Sequence, residues 1–159
     1  MKVSRCFLLI FLVLFLTSAC KKEHSTDTKP EVEELRSVSQ GIGAFKDIEL
    51  TDPLITDLVS TGRKSYDTKC LGCHLLNDKR KVGPGWAGIT NRRSPEWIMN
   101  MITNVNVMLE EDEAAQKLLE ECMTHMPDQR IGTSEARSIL EYMRRNDMDQ
   151  VGSRDKAAM

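Results

Sequence analysis

Cys70, Cys73 and His74 stand in the run Cys70-Leu71-Gly72-Cys73-His74, a C-x-x-C-H pattern. Two thiols at this spacing lie on one turn of backbone and can add across the two vinyl groups of a single haem. The histidine that follows falls beneath the porphyrin, where its imidazole can bind iron from the proximal side. A group attached in this way carries the redox chemistry, and the polypeptide supplies binding, orientation and control of potential. The same donor types leave a second chemistry open. Cys70, Cys73, His74 and Cys122 make four N and S ligands, enough for a structural zinc ion.

The 159 residues suffice for one modest domain with extensions, and the formal net charge of −2 gives no reason to expect a nucleic-acid partner. Aromatic residues are only 5% of the chain, low for a self-sufficient core. Small helical domains of this kind need a staple, and a buried haem is a large apolar one.

Residues 1–19 read as an export signal peptide. Lys2 and Arg5 form a basic start, and Phe7 to Leu16 is an apolar run of roughly ten residues, well short of the ~20 that span a bilayer. The sequence ending in Thr17-Ser18-Ala19-Cys20 resembles a bacterial lipobox, with Thr17 where leucine is commonest. That resemblance implies lipidation of Cys20 and an exported protein anchored on the periplasmic side of a bacterial membrane. Ordinary signal-peptidase cleavage near Ala19, or an uncleaved anchor, are the other readings. Loss of Lys2 and Arg5 with the leader leaves 20 of the 22 basic residues against 24 acidic ones, a net of −4. With Cys6 removed, Cys20 lipidated and Cys70 and Cys73 holding haem, only Cys122 remains, so no disulfide framework is available.

Polar residues, Pro30 and the helix breakers Gly41 and Gly43 make 20–51 a lipidated N-terminus and flexible tether, with some order near the domain. The folded domain is expected over 52–148. Asp52-Pro53 offers an N-cap and a first-turn proline, 77–93 reads as a glycine-rich loop, and Ser94-Pro95-Glu96 opens a helix to about Asn104. A third helix is expected from about Glu110 to Glu121. Thr133-Ser134-Glu135 caps a last helix to about Arg145, where Ala136, Ile139, Leu140 and Met143 form an apolar stripe. No strand pattern or internal repeat stands out, and the polar tail from Asn146, including 149–159, is expected to fray.

Over about 60–148 the chain resembles class I cytochrome c in its bacterial monohaem form. The resemblance rests on Gly62, Tyr66 and Cys70 at successive spacings of four, on Ile139 and Tyr142 three apart in the last helix, on Gly83-Pro84, and on Met126-Pro127 ahead of the last helix. It implies a small all-α fold wrapped around one covalently bound haem c. In that fold the glycine lets the N- and C-terminal helices cross closely, and the aromatic packs in the crossing. The resemblance further implies His74 as proximal ligand with its ring hydrogen-bonded to the Pro84 carbonyl, and Met126 as distal ligand. A thioether ligand raises the potential relative to a second histidine. His125 and Met123 are the rival ligands. Trp86 is expected against the haem, and Arg92, Arg93 and Trp97 as donors to its propionates. Lys79, Arg80 and Lys81 could steer an acidic partner, although Glu110, Glu111, Asp112 and Glu113 weigh against a basic carrier surface.

The function these readings imply is single-electron transfer by a membrane-tethered carrier with both axial positions filled. Its partners would be redox proteins, a respiratory complex and a terminal reductase or oxidase, with no small-molecule substrate. An open-site haem enzyme or gas sensor is the alternative, and a structural zinc module a third reading.

Overall fold

The computed structural model describes residues 39–158; the expected leader, Cys20 and residues 21–38 lie outside the described residues. Every regular element among the described residues is helical, apart from one isolated bridge between His74 and Arg80. Helix α1 (Thr56–Ser65) runs into a π-helical turn, Tyr66–Cys70; then come α2 (Ile89–Arg92), α3 (Pro95–Thr103), α4 (Val105–Glu111), α5 (Glu113–Cys122) and α6 (Thr133–Val151), with a 3-10 turn at Lys156–Ala158. No helix among the described residues is long and apolar enough to cross a membrane. The expected all-α architecture is the one observed.

The close crossing of α1 and α6 organises the fold. A Cβ on Gly62 would stand 2.0 Å from the Ser138 carbonyl oxygen, so only glycine lets the two backbones approach this far. Tyr66 is buried one turn later, with its ring centroid 5.6 Å from that of Tyr142 on α6. Ala136, Ile139, Leu140 and Met143 are all buried along α6, as their spacing predicts.

Helix α3 starts as expected. Pro95 is in the first turn, and the Trp97 amide donates to the Ser94 hydroxyl at 3.1 Å. It is buried nearly all round, from Pro95 through Met101. Apolar packing covers its inner side. Its outer side carries two buried polar residues one turn apart, Glu96 and Asn100. Their partners come from the segment before α1: the Ile48 amide donates to Glu96 at 2.7 Å and the Phe45 amide to Asn100 Oδ1 at 3.1 Å. Residues 39–50 therefore lie along α3 as a docked strap, and only the part of the expected tether before residue 39 lies outside the description.

Four local expectations differ from the structure. Helix α1 begins at Thr56 rather than at Asp52-Pro53, because the amide of Ile55, the residue before the helix, is held by Glu141 Oε1 at 2.9 Å while Asp52 pairs with Arg154. The expected loop 77–93 contains the one-turn helix α2, whose start is held by Asp147, the acceptor for the Gly88 and Thr90 amides at 2.8 Å each. The stretch read as one helix from Glu110 is two, α4 and α5, parted at Asp112; that carboxylate caps α5 by accepting the Ala115 amide at 2.9 Å. Helix α6 continues to Val151, with Gly132 rather than a side chain at its N-cap. Asn146 and Asp147, read as a fraying tail, are buried and hydrogen-bonded; Asn146 donates to the Leu76 carbonyl at 2.9 Å.

The C-terminal segment is pinned as well. Buried Arg144 donates to Glu141 at 2.9 Å, to both oxygens of Asp155, and to the Thr51 carbonyl at 2.9 Å. Glu141 is fully buried and also accepts from Arg137 and the Ile55 amide. A charge network of this kind tolerates no missing member, since each remaining charge would be left desolvated.

Gly62→Ala should destabilise the domain by about 2 kcal/mol or more, read as a lowered thermal midpoint, because the new methyl meets backbone rather than a movable side chain. Burial works to raise the pKa of Glu141, but the Ile55 amide, Arg137 and Arg144 together outweigh it and hold the carboxyl below its ordinary range. The resulting stabilisation is complete above the unfolded-state value of about 4.3 and disappears as pH falls through the lower folded value. Unfolding measured against pH should show that loss beginning below about pH 4. Glu141→Gln should flatten it and cost about 3 kcal/mol at neutral pH.

Candidate functional site

The C-x-x-C-H residues owe their placement to the end of α1. There the helix widens, and the Leu71 amide donates to the Tyr66 carbonyl five residues back at 2.9 Å. The Cys73 and His74 amides then both fold back onto the Cys70 carbonyl at 3.0 and 2.9 Å. The turn is braced from below, since the Tyr66 hydroxyl donates to the His74 carbonyl at 2.8 Å. It is braced from the following loop by the Val82 and Gly83 amides, which donate to the Cys73 carbonyl at 3.2 and 3.0 Å.

His74 is held in a defined tautomer. Its Nδ1 lies 2.9 Å from the Pro84 carbonyl oxygen. A carbonyl only accepts, so Nδ1 carries the proton and Nε2 keeps its lone pair free. Burial lowers the imidazole pKa, with the Pro84 bond opposing in part, and the net shift favours the neutral ring. Gly83 is what lets the loop pass so closely, because a Cβ there would lie 2.4 Å from His74 Cε1. Trp86 is buried beside this ring, its centroid 5.8 Å from that of His74 and 4.9 Å from that of Tyr66.

Cys70, Cys73, His74 and Met126 all line one cavity of about 400 Å³. Pro84 and Trp86 line it on the C-x-x-C-H side; α3 contributes Trp97, Ile98, Met101 and Ile102, and α6 contributes Ile139 and Met143. The walls are thus mainly apolar, with a soft sulfur donor and a neutral imidazole among them. Cys70 and Cys73 are free thiols, and burial, reinforced by Glu135, pushes the Cys70 thiol up to about 11. Two thiols beside an unprotonated ring nitrogen, in an apolar slot, suit a flat macrocycle that sulfur could hold covalently and whose iron the nitrogen could bind. They do not suit zinc: no three His, Cys, Asp or Glu side chains among the described residues converge as a metal site.

The other expected site residues separate. Met123 is 88% exposed and is not part of the cavity wall, so it does not compete with Met126. His125 and Cys122 do reach the wall. Arg92 and Arg93 both line the cavity, but Arg92 also donates to the Ala87 carbonyl. Arg93 stacks over Trp97, with Cζ 4.7 Å from the ring centroid. The indole N–H of Trp97, read above as a propionate donor, is committed elsewhere. It donates to Asp112 Oδ1 at 2.9 Å, and an indole has only one donor. In the basic run, Arg80 donates to the Glu121 carbonyl at 2.8 Å and Lys81 to the Leu71 carbonyl at 3.1 Å, so both brace the site rather than standing free.

Asp112 was not foreseen as part of this neighbourhood. Burial alone would raise its pKa; hydrogen bonds from Trp97, Ser39 and the Ala115 amide, with the Arg93 charge, outweigh that and hold the carboxyl below its ordinary value. The sequence reading runs one helix across it, and nothing in the sequence signals its partner in Trp97.

The model of the family described as Cytochrome c matches residues 59–147. Among solved structures, the chain is similar to a cytochrome c from Rhodothermus marinus, at 34% identity and a TM-score of 0.65, covering 68% of this chain and 92% of that one. An engineered cytochrome c from Rhodothermus marinus is similar at 32% identity and a TM-score of 0.66, covering 71% of this chain and 97% of that one. An engineered form described as bound to a carbene intermediate gives 30% identity and a TM-score of 0.63, with coverage of 71% and 97%. No curated protein sequence matches the chain significantly.

Gly83→Ala should push the His74 ring off the Pro84 carbonyl. The expected result is loss of the exchange-protected Nδ1 proton resonance from the NMR spectrum of the folded protein. A retained resonance would show that the ring had room to spare.

Proposed function

This chain belongs to the cytochrome c family and carries a covalently bound haem c, and from that premise we propose that it is a membrane-tethered electron carrier with His74 and Met126 as axial ligands. The observation that carries the reading is that one apolar cavity is lined at once by Cys70, Cys73, His74 and Met126. When bound, the haem supplies a one-electron ferric–ferrous couple. The chain's residues do the rest. Cys70 and Cys73 would hold the group by thioether bonds, and the Pro84 carbonyl fixes the His74 ring with its Nε2 lone pair free to bind iron. Second-shell contacts of this kind orient a ligand and raise its basicity. The Met126 thioether, in the same cavity wall, would be the second iron ligand, would favour the reduced state and would leave no site for substrate. Trp86 and the apolar residues of α3 and α6 keep water out.

The tether and partners extend this reading. Cys20 carries the lipid, which places the domain on the periplasmic side of a bacterial membrane, between a respiratory complex and a terminal reductase or oxidase. Support comes from the leader and lipobox pattern of residues 1–20.

Met126→Ala should open the sixth position. The purified protein would then change from low-spin to high-spin in its ferric spectrum, bind carbon monoxide when reduced, and show a lower midpoint potential. An unchanged spectrum would transfer the distal role to His125. If the unaltered protein already binds carbon monoxide, the open-site enzyme or sensor reading replaces the carrier. Cys20→Ser should move the protein from the membrane fraction to the soluble fraction on cell fractionation. Continued retention would argue for an uncleaved anchor.

A further inference from the structure

The strap of residues 39–50 does more than cover α3. Asn100 is fully buried, and its amide donates to the Gln40 and Phe45 carbonyls at 3.0 and 3.1 Å. At the start of the strap, the Ser39 hydroxyl donates to Asp112 Oδ2 at 2.7 Å. The Ser39 carbonyl accepts the Ser94 hydroxyl at 3.0 Å, and the Gly41 amide donates to the Ser39 hydroxyl at 3.0 Å, so Ser39 is fixed from three sides. The other oxygen of Asp112 holds the Trp97 indole. Trp97 is in the cavity wall with Arg93 stacked on it. A continuous chain of contacts therefore runs from the strap through a buried carboxylate to two cavity residues.

We infer that Asp112 is a positioning residue for the redox centre, and that the docked strap acts on the haem potential through the hydrogen bond from Ser39 to Asp112. This rests on the haem reading of the cavity given above. Asp112 is 4% exposed, so its charge is weakly screened by water. A carboxylate one side chain away from the cavity favours the ferric state, which carries the extra positive charge. The Ser39 hydroxyl presents the positive end of its dipole to that carboxylate and offsets part of its effect. Trp97 and Arg93, both fixed through Asp112, form the wall that the haem meets. Ser39 immediately follows the segment that leads back toward Cys20, so undocking of the strap by a pull on the anchor would reach the haem as a change in potential.

The test is a double-mutant cycle read as midpoint potential on the full-length holoprotein. Asp112→Asn removes the charge while keeping an oxygen for the indole and the α5 cap; it should raise the midpoint. Ser39→Ala, at an exposed position, removes the offsetting dipole and should lower it, and Ser39→Thr should restore it. In the Asp112→Asn background, Ser39→Ala should produce no further shift, since the charge it modulates is gone. Unchanged midpoints in both single variants overturn the inference, as does a Ser39→Ala shift of equal size in either background. Those failures leave the carrier reading intact. An unaltered protein that matures without haem overturns both.

Discussion

The contact between the Gly62 backbone and the Ser138 carbonyl sets the terms for the rest of the molecule. Because α1 and α6 touch at backbone distance, the residues on either side of the contact are fixed relative to one another with little freedom. Tyr66 sits in the crossing, and its hydroxyl reaches the His74 carbonyl. The C-x-x-C-H turn is thus referenced directly to the helix pair. Ile139 and Met143, on the other side of the same crossing, form part of the cavity wall. Cavity shape and helix packing are one arrangement, and protein interiors pass such constraints on because they are close-packed.

Helix α3 imposes the second constraint. A helix buried all round must find apolar partners or hydrogen-bond partners in every direction. Its inner side faces the cavity. Its outer side, with Glu96 and Asn100, is satisfied only because the strap supplies backbone amides and carbonyls. Five of the twelve strap residues, Ile42, Ala44, Phe45, Ile48 and Leu50, are apolar, and Phe45, Ile48 and Leu50 pack partly buried against the core. Polar complementarity to α3 adds to this packing, which explains why a stretch broken by Gly41 and Gly43 is docked.

That polar complementarity also marks the limit of what the sequence reveals. The C-x-x-C-H run, Gly62 with Tyr66, Gly83-Pro84 and the stripe of α6 are legible because each is a local pattern with one physical meaning. The apolar period of α6 identifies its inward face, but its length could not be read the same way. Asn146 and Asp147 are polar, and polarity on a helix ordinarily signals solvent. Here both side chains hold loops far away in sequence, at Leu76 and at Gly88 to Thr90. The buried roles of Glu96, Asn100 and Asp112 are illegible for the same reason. Each is a polar residue whose partner is contributed by another element, and periodicity says nothing of such partners. Trp97 shows the converse: its position in the cavity wall was legible, while the destination of its N–H was not.

The crossing of α1 and α6 has a consequence for the order of assembly. The two helices sit near opposite ends of the domain, so the contact at Gly62 closes only after the chain between them has emerged. Non-local pairings of this sort pay their loop-closure entropy late. Until then the two thiols, which sit at the end of α1, are on an open chain. Because synthesis proceeds from the N-terminus, C-x-x-C-H emerges well before Ser138. That ordering leaves a window in which both thiols are more open than in the finished cavity, where each is partly buried. A chain whose haem thiols lay on α6 would have almost none.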